Sequence, residues 1–470
     1  MSLHTVGSDT HYILPASHDS IPEAFRSCKS AKPIPCSLQT VNVVSLSGTQ
    51  TQGGSSIIQI PCGASAGIMM NSYVRFTIQM TGSAGVANSA FLFKGAAQCA
   101  AMAIQSIQTY VNSVQVDNQQ NAWSIYDNLL THSTSNDWLQ HDATLMLGAG
   151  TVYQQAAAGS TSSAAYTFAL PLLGLLGSQQ SLPLYLLNGT LQIQINWQPA
   201  VASVYQSGAT IVPLNAPLTY AGGAGSTLAQ VGVALIEPGW TGFSITNVQC
   251  VYDKVTPESA FVDKVRHDMM SGAKYVFSYT NYATTSVNTS SAGQYNLNYG
   301  LNVSSLRGVV MTQYNTANLS GVGVAAGAGS ISNGMNQFQI ALDGRLISSL
   351  ALNSQTDASL VFAELQKTFG RIYDASITDP VINFSTQAIV AFGANYSGGT
   401  FLTQLFAAGA SAQRVNEGLA FQGSPCSILN AMFTVAAAGT VAFQATTCFF
   451  LLIADFQLLI DSTGSVEIVR

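Results

Sequence analysis

Two stretches of this chain, one in each half, carry the same order of elements. Ser106-Ile-Gln-Thr-Tyr-Val-Asn-Ser-Val-Gln-Val-Asp117 and Gln337-Phe-Gln-Ile-Ala-Leu-Asp-Gly-Arg-Leu-Ile347 both read as β-structure, and each is followed by a lone segment whose apolar residues recur every three to four positions. Alternation is the period of a half-buried strand, and the longer recurrence is that of an amphipathic helix. The pairing predicts one β-module built twice, with one helix in each copy.

Other strands repeat the alternation. In Tyr73-Val-Arg-Phe-Thr-Ile-Gln-Met80, Val74, Phe76, Ile78 and Met80 share one face, and Leu191, Ile193, Ile195 and Trp197 stand against Gln192, Gln194 and Asn196. One wet face and one buried face predict antiparallel sheets. Asp343-Gly344 between two apolar runs is a hairpin signal, because both residues tolerate positive φ.

The first helix is expected from about Ala122 to Leu130, with Trp123, Tyr126 and Leu130 on one stripe. The second is expected from about Ser359 to Phe369, with Asp357 as N-cap and Val361, Phe362, Leu365 and Phe369 inward. Between the copies, the strand Ile245 to Tyr252 leads to Thr256-Pro257-Glu258. There Thr is expected to cap, Pro to take the first helical position and Glu to face the positive helix end, so a third helix runs to about Met269. The predicted division is an arm over residues 1–38, a first module over 39–255, a linker helix over 256–270 and a second module over 271–470. The arm carries three of the six histidines and prolines at 15, 22, 33 and 35, with no sustained period.

At 470 residues the chain exceeds one ordinary sandwich and suits two large β-domains. Charged residues are 8% of it, against about 25% in a typical globular protein. A wettable but weakly self-repelling surface suits association over dispersal. A net charge of −6 and pI of 5.4 provide no basic field for phosphates, so direct nucleic-acid binding is not expected. Mean hydropathy is positive, +0.28, yet the most apolar stretch, Cys448 to Ile460, is broken by Asp455 and Gln457 and reads as a buried strand. The N-terminus shows no secretory pattern, which predicts folding in a cytoplasm. Of seven cysteines, Cys28 and Cys36 lie in the arm and could pair or hold a metal; free thiols are expected in a reducing compartment.

Chemistry-bearing patterns are sparse. The Gly321 to Gly329 run and Ala221-Gly-Gly-Ala-Gly-Ser-Thr227 lack the strand-to-helix setting of a nucleotide site, and with Ala156 to Ala165 they read as surface loops. His132, Asp137 and His141 crowd one segment but match no metal-ligand spacing. No Gly-x-Ser-x-Gly elbow is present. Asp117, Asp127, Asp142, Glu364 and Asp374 could supply a carboxylate pair, but strand ends and helices give them ordinary structural uses. The Asn-x-Ser/Thr triplets at Asn188, Asn288, Asn302, Asn318, Asn383 and Asn395 follow from composition. No catalytic, cofactor-binding or metal residue is therefore assigned, and no enzyme is expected.

Ile107 to Asp117, Asn121-Ala-Trp-Ser-Ile-Tyr-Asp-Asn-Leu-Leu130 and the closing Phe450 to Gly464 resemble the double jelly-roll major capsid proteins of the adenovirus, tailless-phage and virophage lineage. The likeness covers most of residues 40–470 as an order of elements. It implies two tandem eight-stranded jelly-roll β-sandwiches side by side, three copies forming a pseudo-hexagonal capsomer, and capsomers tiling an icosahedral shell, often over an internal membrane. The implied partners are further copies, neighbouring capsomers, minor capsid proteins and, through the arm, lipid; the implied location is the virion. This arm is not notably basic, which departs from a genome-binding or anionic-lipid-binding arm. The rival expectation is a carbohydrate-binding or adhesive β-sandwich, against which stand the missing export pattern and only four tryptophans.

Overall fold

The computed structural model describes residues 3–5, 13–15, 36–82, 90–95, 97–134, 138–151, 153–154, 161–177, 181–206, 218–220, 228–230, 240–316, 319, 333–347, 351–353, 357–369, 407–415, 421–435, 443 and 445–470. The glycine runs at 221–227 and 321–329, together with Cys28, Asp137 and Asp374, lie outside these residues.

In the first half the chain runs β1 (Cys36–Val44), β2 (Ser55–Pro61), β3 (Ile68–Gly82), β4 (Ile104–Val111), β5 (Val114–Gln120), α1 (Ala122–His132), β6 (Tyr166–Pro171), β7 (Thr190–Trp197) and β8 (Trp240–Pro257). These eight strands form two antiparallel sheets in the orders β6-β3-β8-β1 and β2-β7-β4-β5, and the short strands Tyr153–Gln154, Ala90–Phe93 and Tyr205–Gln206 form a third. The two alternating patterns read in the sequence meet between the two larger sheets. Val74, Phe76, Ile78 and Met80 of β3 and Leu191, Ile193, Ile195 and Trp197 of β7 are all buried, and the Phe76 and Trp197 rings lie 5.3 Å apart. Two inner faces of aligned apolar side chains are what holds a sandwich together. The Trp197 indole donates to Ser56 Oγ at 3.0 Å, so its one polar atom is satisfied in the core.

Next comes α2 (Ser259–Met270). It starts later than Thr256-Pro257 predicts: both residues extend β8, opposite Ser37 and Cys36, and Glu258 is the N-cap, with no side-chain cap bond. Pairing with β1 outweighs the local helix-start signal, and a proline at a strand terminus removes little from the ladder.

The second half comprises β9 (Tyr275–Thr289), β10 (Gly293–Asn315), β11 (Met335–Leu342), β12 (Arg345–Leu346), α3 (Ala358–Thr368), β13 (Ala407–Ser411), β14 (Ser424–Val435), β15 (Thr446–Ile460) and β16 (Val466–Val469). These strands hydrogen-bond as one antiparallel sheet in the order β9-β15-β10-β14-β11-β12, with β13 on β10 and β16 on β15, and Arg414–Val415 pairs separately with Phe421–Gln422. The 23-residue β10 explains the continuity. It pairs with β14 as far as Leu306 and with β15 from Leu306 to Asn315. The register shifts between Gly300, Val303 and Leu306, where Asn302 has φ 50°. Bulges of this kind bend a strand from one layer into the next.

The repeated element is present in both halves. β4 and β5 are joined by Asn112-Ser113 at φ 49° and 68°, and β11 and β12 by Asp343-Gly344 at φ 47° and 79°. Each is a two-residue hairpin with both central residues left-handed, the geometry that matches strand twist. α1 follows the first hairpin and α3 the second, where Asp357 caps by accepting from Leu360 N at 2.9 Å. Among the described residues, no helix is long and apolar enough to cross a membrane.

Candidate functional site

A buried polar and aromatic cluster lies where the two halves meet, and α1 is its centre. Unlike a one-sided amphipathic helix, α1 is buried along its whole length from Ala122 to His132. A helix covered on every side needs a partner on every side. One side packs in the first half. On another, Trp123 meets Tyr314 and Phe449 of the second half edge-on, with centroids 5.4 and 5.0 Å apart. Ile125 and Leu129 enter an apolar cluster with Val310, Leu365, Leu451 and Ile453. The two equivalent helices, one from each half, thus close over the same strip of β10 and β15. This is why Cys448 to Ala454 is buried on both faces of its strand.

Buried polar groups are paired across the same seam. Asp127 Oδ1 accepts from Ala97 N at 2.7 Å and its Oδ2 from the Tyr314 phenol at 2.6 Å. Burial, together with the Asp127 carboxylate, holds the Tyr314 phenol well above its ordinary pKa, so it stays a donor. Asn128 Nδ2 donates to Thr312 Oγ1 at 3.3 Å. Tyr279 OH and Thr284 Oγ1 donate to the Val116 and Gln120 carbonyls of β5, at 2.7 and 2.6 Å. β5 is the last strand of its sheet, so these hydroxyls occupy carbonyls that an added strand would otherwise take. Lys94, 2% exposed, reaches the Leu319 carbonyl at 3.4 Å, and burial lowers its ammonium pKa to about 8. At the far end Arg266 donates to Tyr185 O, and Asn188 N to Gly464 O. Gly464 has φ +79°, and a Cβ there would lie 2.7 Å from Asn188 N.

The carboxylates singled out in the sequence separate. Asp127 has the structural use just described. Asp117 is buried on β5, ten positions earlier, with Oδ2 accepting from Gln119 Nε2 at 2.9 Å and Oδ1 without a partner among the described residues. Burial pushes its carboxyl up to about 6. Gly174 at φ +67° makes room for it, since a Cβ there would sit 1.8 Å from Asp117 Oδ2. Asp142 is exposed, and Glu364 pairs with Lys367 on α3. The three groups considered for a metal also divide: His132 is buried, its Nδ1 without a partner among the described residues and its pKa pushed down to about 3 by burial, while His141 is exposed. Cys99, Cys250 and Cys448 are buried thiols raised to about 12 by burial, and Cys36 is exposed. The buried members of this set support packing.

Tyr314, Phe449 and Leu451 carry no local signal that they would meet α1. The one available sign was the helix itself, whose residues from Ala122 to Thr131 include a single charge, Asp127.

No protein-family model matches this chain, and no curated protein matches it in sequence. Solved structures do. PBCV-1 VP54, as fitted into a reconstruction of the virophage Sputnik, is 11% identical with a TM-score of 0.55 over 95% of this chain and 99% of its own. The Sputnik virophage structure gives 11% identity and TM-score 0.55 over 94% and 90%. The Faustovirus major capsid protein gives 9% and 0.54 over 92% of each. At such identities the likeness is one of fold: the chain has the all-β, antiparallel double jelly-roll fold of these capsid proteins.

Proposed function

We propose that this chain is a viral major capsid protein that forms homotrimers, each a pseudo-hexagonal capsomer tiling an icosahedral shell. The observation that carries the reading is that the fold likeness to coat proteins extends over nearly the full length of both chains. The seam adds a physical reason. A building block for a shell must hold its two modules in one fixed relation, and α1, buried between them, ties them through aromatic, apolar and hydrogen-bonded contacts together. The low content of charged residues favours close subunit packing, since obligate interfaces are more apolar at their core than ordinary surfaces.

In this reading residues 39–255 and 271–470 are the two jelly rolls, 256–270 links them, and 1–38 is an arm along the shell's inner side. Its partners are neighbouring capsomers, minor capsid proteins and an internal membrane. The chain is made in the host cytoplasm, resides in the virion and performs no catalysis. Sedimentation at micromolar concentration should give a species of three times the 49.2 kDa chain mass, and electron microscopy should show hexagonal outlines. A stable monomer throughout that range would overturn the proposal.

A further inference from the structure

β1 ends the sheet β6-β3-β8-β1, and its outer edge is open among the described residues. Ser45 N donates to Val248 O at 2.8 Å, one step beyond the register in which Val44 stands opposite Gln249. Residues that bond to a given neighbour alternate along an antiparallel strand. The odd-numbered residues of β1 therefore turn their N–H and C=O to β8, and those of Leu38, Thr40, Asn42 and Val44 face outward. No hydrogen bond reaches these outward groups among the described residues. Two other edges are occupied: β5 by the Tyr279 and Thr284 hydroxyls, and β2 by Leu46 N and Ser47 Oγ, which bond to Ile57. Proteins commonly guard an open edge with charge, proline or a bulge. β1 is nine residues long, with no charged residue, no proline and no shift in its register with β8.

We propose that β1 pairs antiparallel with β1 of a second copy, about a twofold axis through Val41. Leu38 and Val44, 70% and 62% exposed, stand three residues to either side of Val41. The twofold sets each Leu38 against the Val44 of the other copy and each Thr40 against Asn42, so the outward N–H and C=O groups meet in hydrogen-bonded pairs and two exposed apolar side chains cover each other. A centre on Thr40 would set Leu38 against Asn42. A centre on Asn42 would set it against Leu46, whose N–H is already given to Ile57 O. A twofold also brings like charges face to face, and β1 has none to oppose. Asp253, opposite Thr40 on β8, accepts from Thr40 Oγ1 and Asn71 Nδ2 at 3.0 Å each. Its two copies would stand three strand spacings apart, roughly 14 Å, beyond the ~8 Å over which salt leaves charges in contact. One strand pair covers less than the roughly 800 Å² per partner of a standard interface, so it is a weak contact that gains strength where copies are already gathered. The pairing does not depend on the trimer proposed above.

The test is disulfide cross-linking of the full-length chain carrying Cys36→Ser, Leu38→Cys and Val44→Cys. Cα atoms of a hydrogen-bonded pair lie roughly 5.5 Å apart, within disulfide reach, whereas positions 38 and 44 of one chain lie roughly 20 Å apart. Mild oxidation should give a covalent dimer on a denaturing gel and nothing larger, because a twofold closes after two copies. Leu38→Cys alone and Val44→Cys alone, each with Cys36→Ser, should give none, and an equal mixture of the two should restore it. Adding Asn42→Pro should cut the yield about tenfold or more, since each copy loses one ladder bond while the N–H that bonds to β8 is untouched. Asn42→Lys, which sets two like charges side by side, should do the same without altering the backbone. The proposal falls if the double-cysteine protein gives no dimer, if it runs on to covalent trimers, if the single variants cross-link as fast, or if the dimer survives both changes at Asn42. Sedimentation reports the trimer separately, so either reading can fail alone.

Discussion

Tyr314 of the second half donates its phenol to Asp127 of the first at 2.6 Å, with both side chains buried and 187 positions apart in sequence. Removing the hydroxyl leaves the carboxylate one donor short in a water-poor seam, and such losses cost about 1–3 kcal/mol. Tyr314→Phe is expected to lower stability by that amount, read as a reduced urea midpoint with an unchanged slope. A midpoint equal to that of the wild type would show that the bond adds nothing.

Trp123 faces Tyr314 and Phe449 across the same boundary. Truncating a buried tryptophan typically costs about 3–5 kcal/mol. Trp123→Ala should therefore destabilise both halves together, visible as a single calorimetric transition moved to lower temperature. Two resolved transitions, with one left at its original temperature, would contradict the seam as a cooperative element.

Asp117 yields a pH dependence of defined sign. Its carboxyl is raised from 3.8 to about 6 by burial, so the folded state holds its proton more tightly than the unfolded state does. Its penalty is absent below pH 4, grows as pH rises to about 6 and is constant above, reaching on the order of 3 kcal/mol. Asp117→Asn should raise stability at pH 7 and flatten the stability profile between pH 4 and 6. Denaturation series at several pH values measure this directly, and an unaltered profile would refute it.

Thiol accessibility gives a further expectation. Cys99, Cys250 and Cys448 are buried and raised to about 12, so their thiolate fraction at neutral pH is negligible. Alkylation followed by peptide mass spectrometry should label exposed Cys36 rapidly and these three only in denaturant. Rapid labelling of Cys250 in the native protein would mean that the sheet around it opens.

Much of each module was legible locally. Alternation placed Val74 to Met80 and Leu191 to Trp197 on inner faces, and Asp343-Gly344 announced its hairpin, because period and turn chemistry are properties of neighbouring residues. The matching turn at Asn112-Ser113 was silent, since a serine at φ 68° follows no common preference. Thr256-Pro257 misled for a related reason: a nearby strand offered better pairing than the helix it seemed to begin. The seam was not legible. Its pairs are set by tertiary placement, and nothing around Tyr314 or Leu451 distinguishes a side chain that meets α1 from one that faces its own sheet.

The long ladder of the second half has a mechanical consequence. β9 and β15 are zipped along fifteen consecutive residue pairs, and β10 runs unbroken through bulges from one partner strand to another. Tyr275 at the start of β9 stands opposite Ile460 at the end of β15, so a pull through those two ends loads the ladder one pair at a time and should peel it from that edge at low force, whereas a pull between opposite ends of the two strands would load all fifteen pairs in shear.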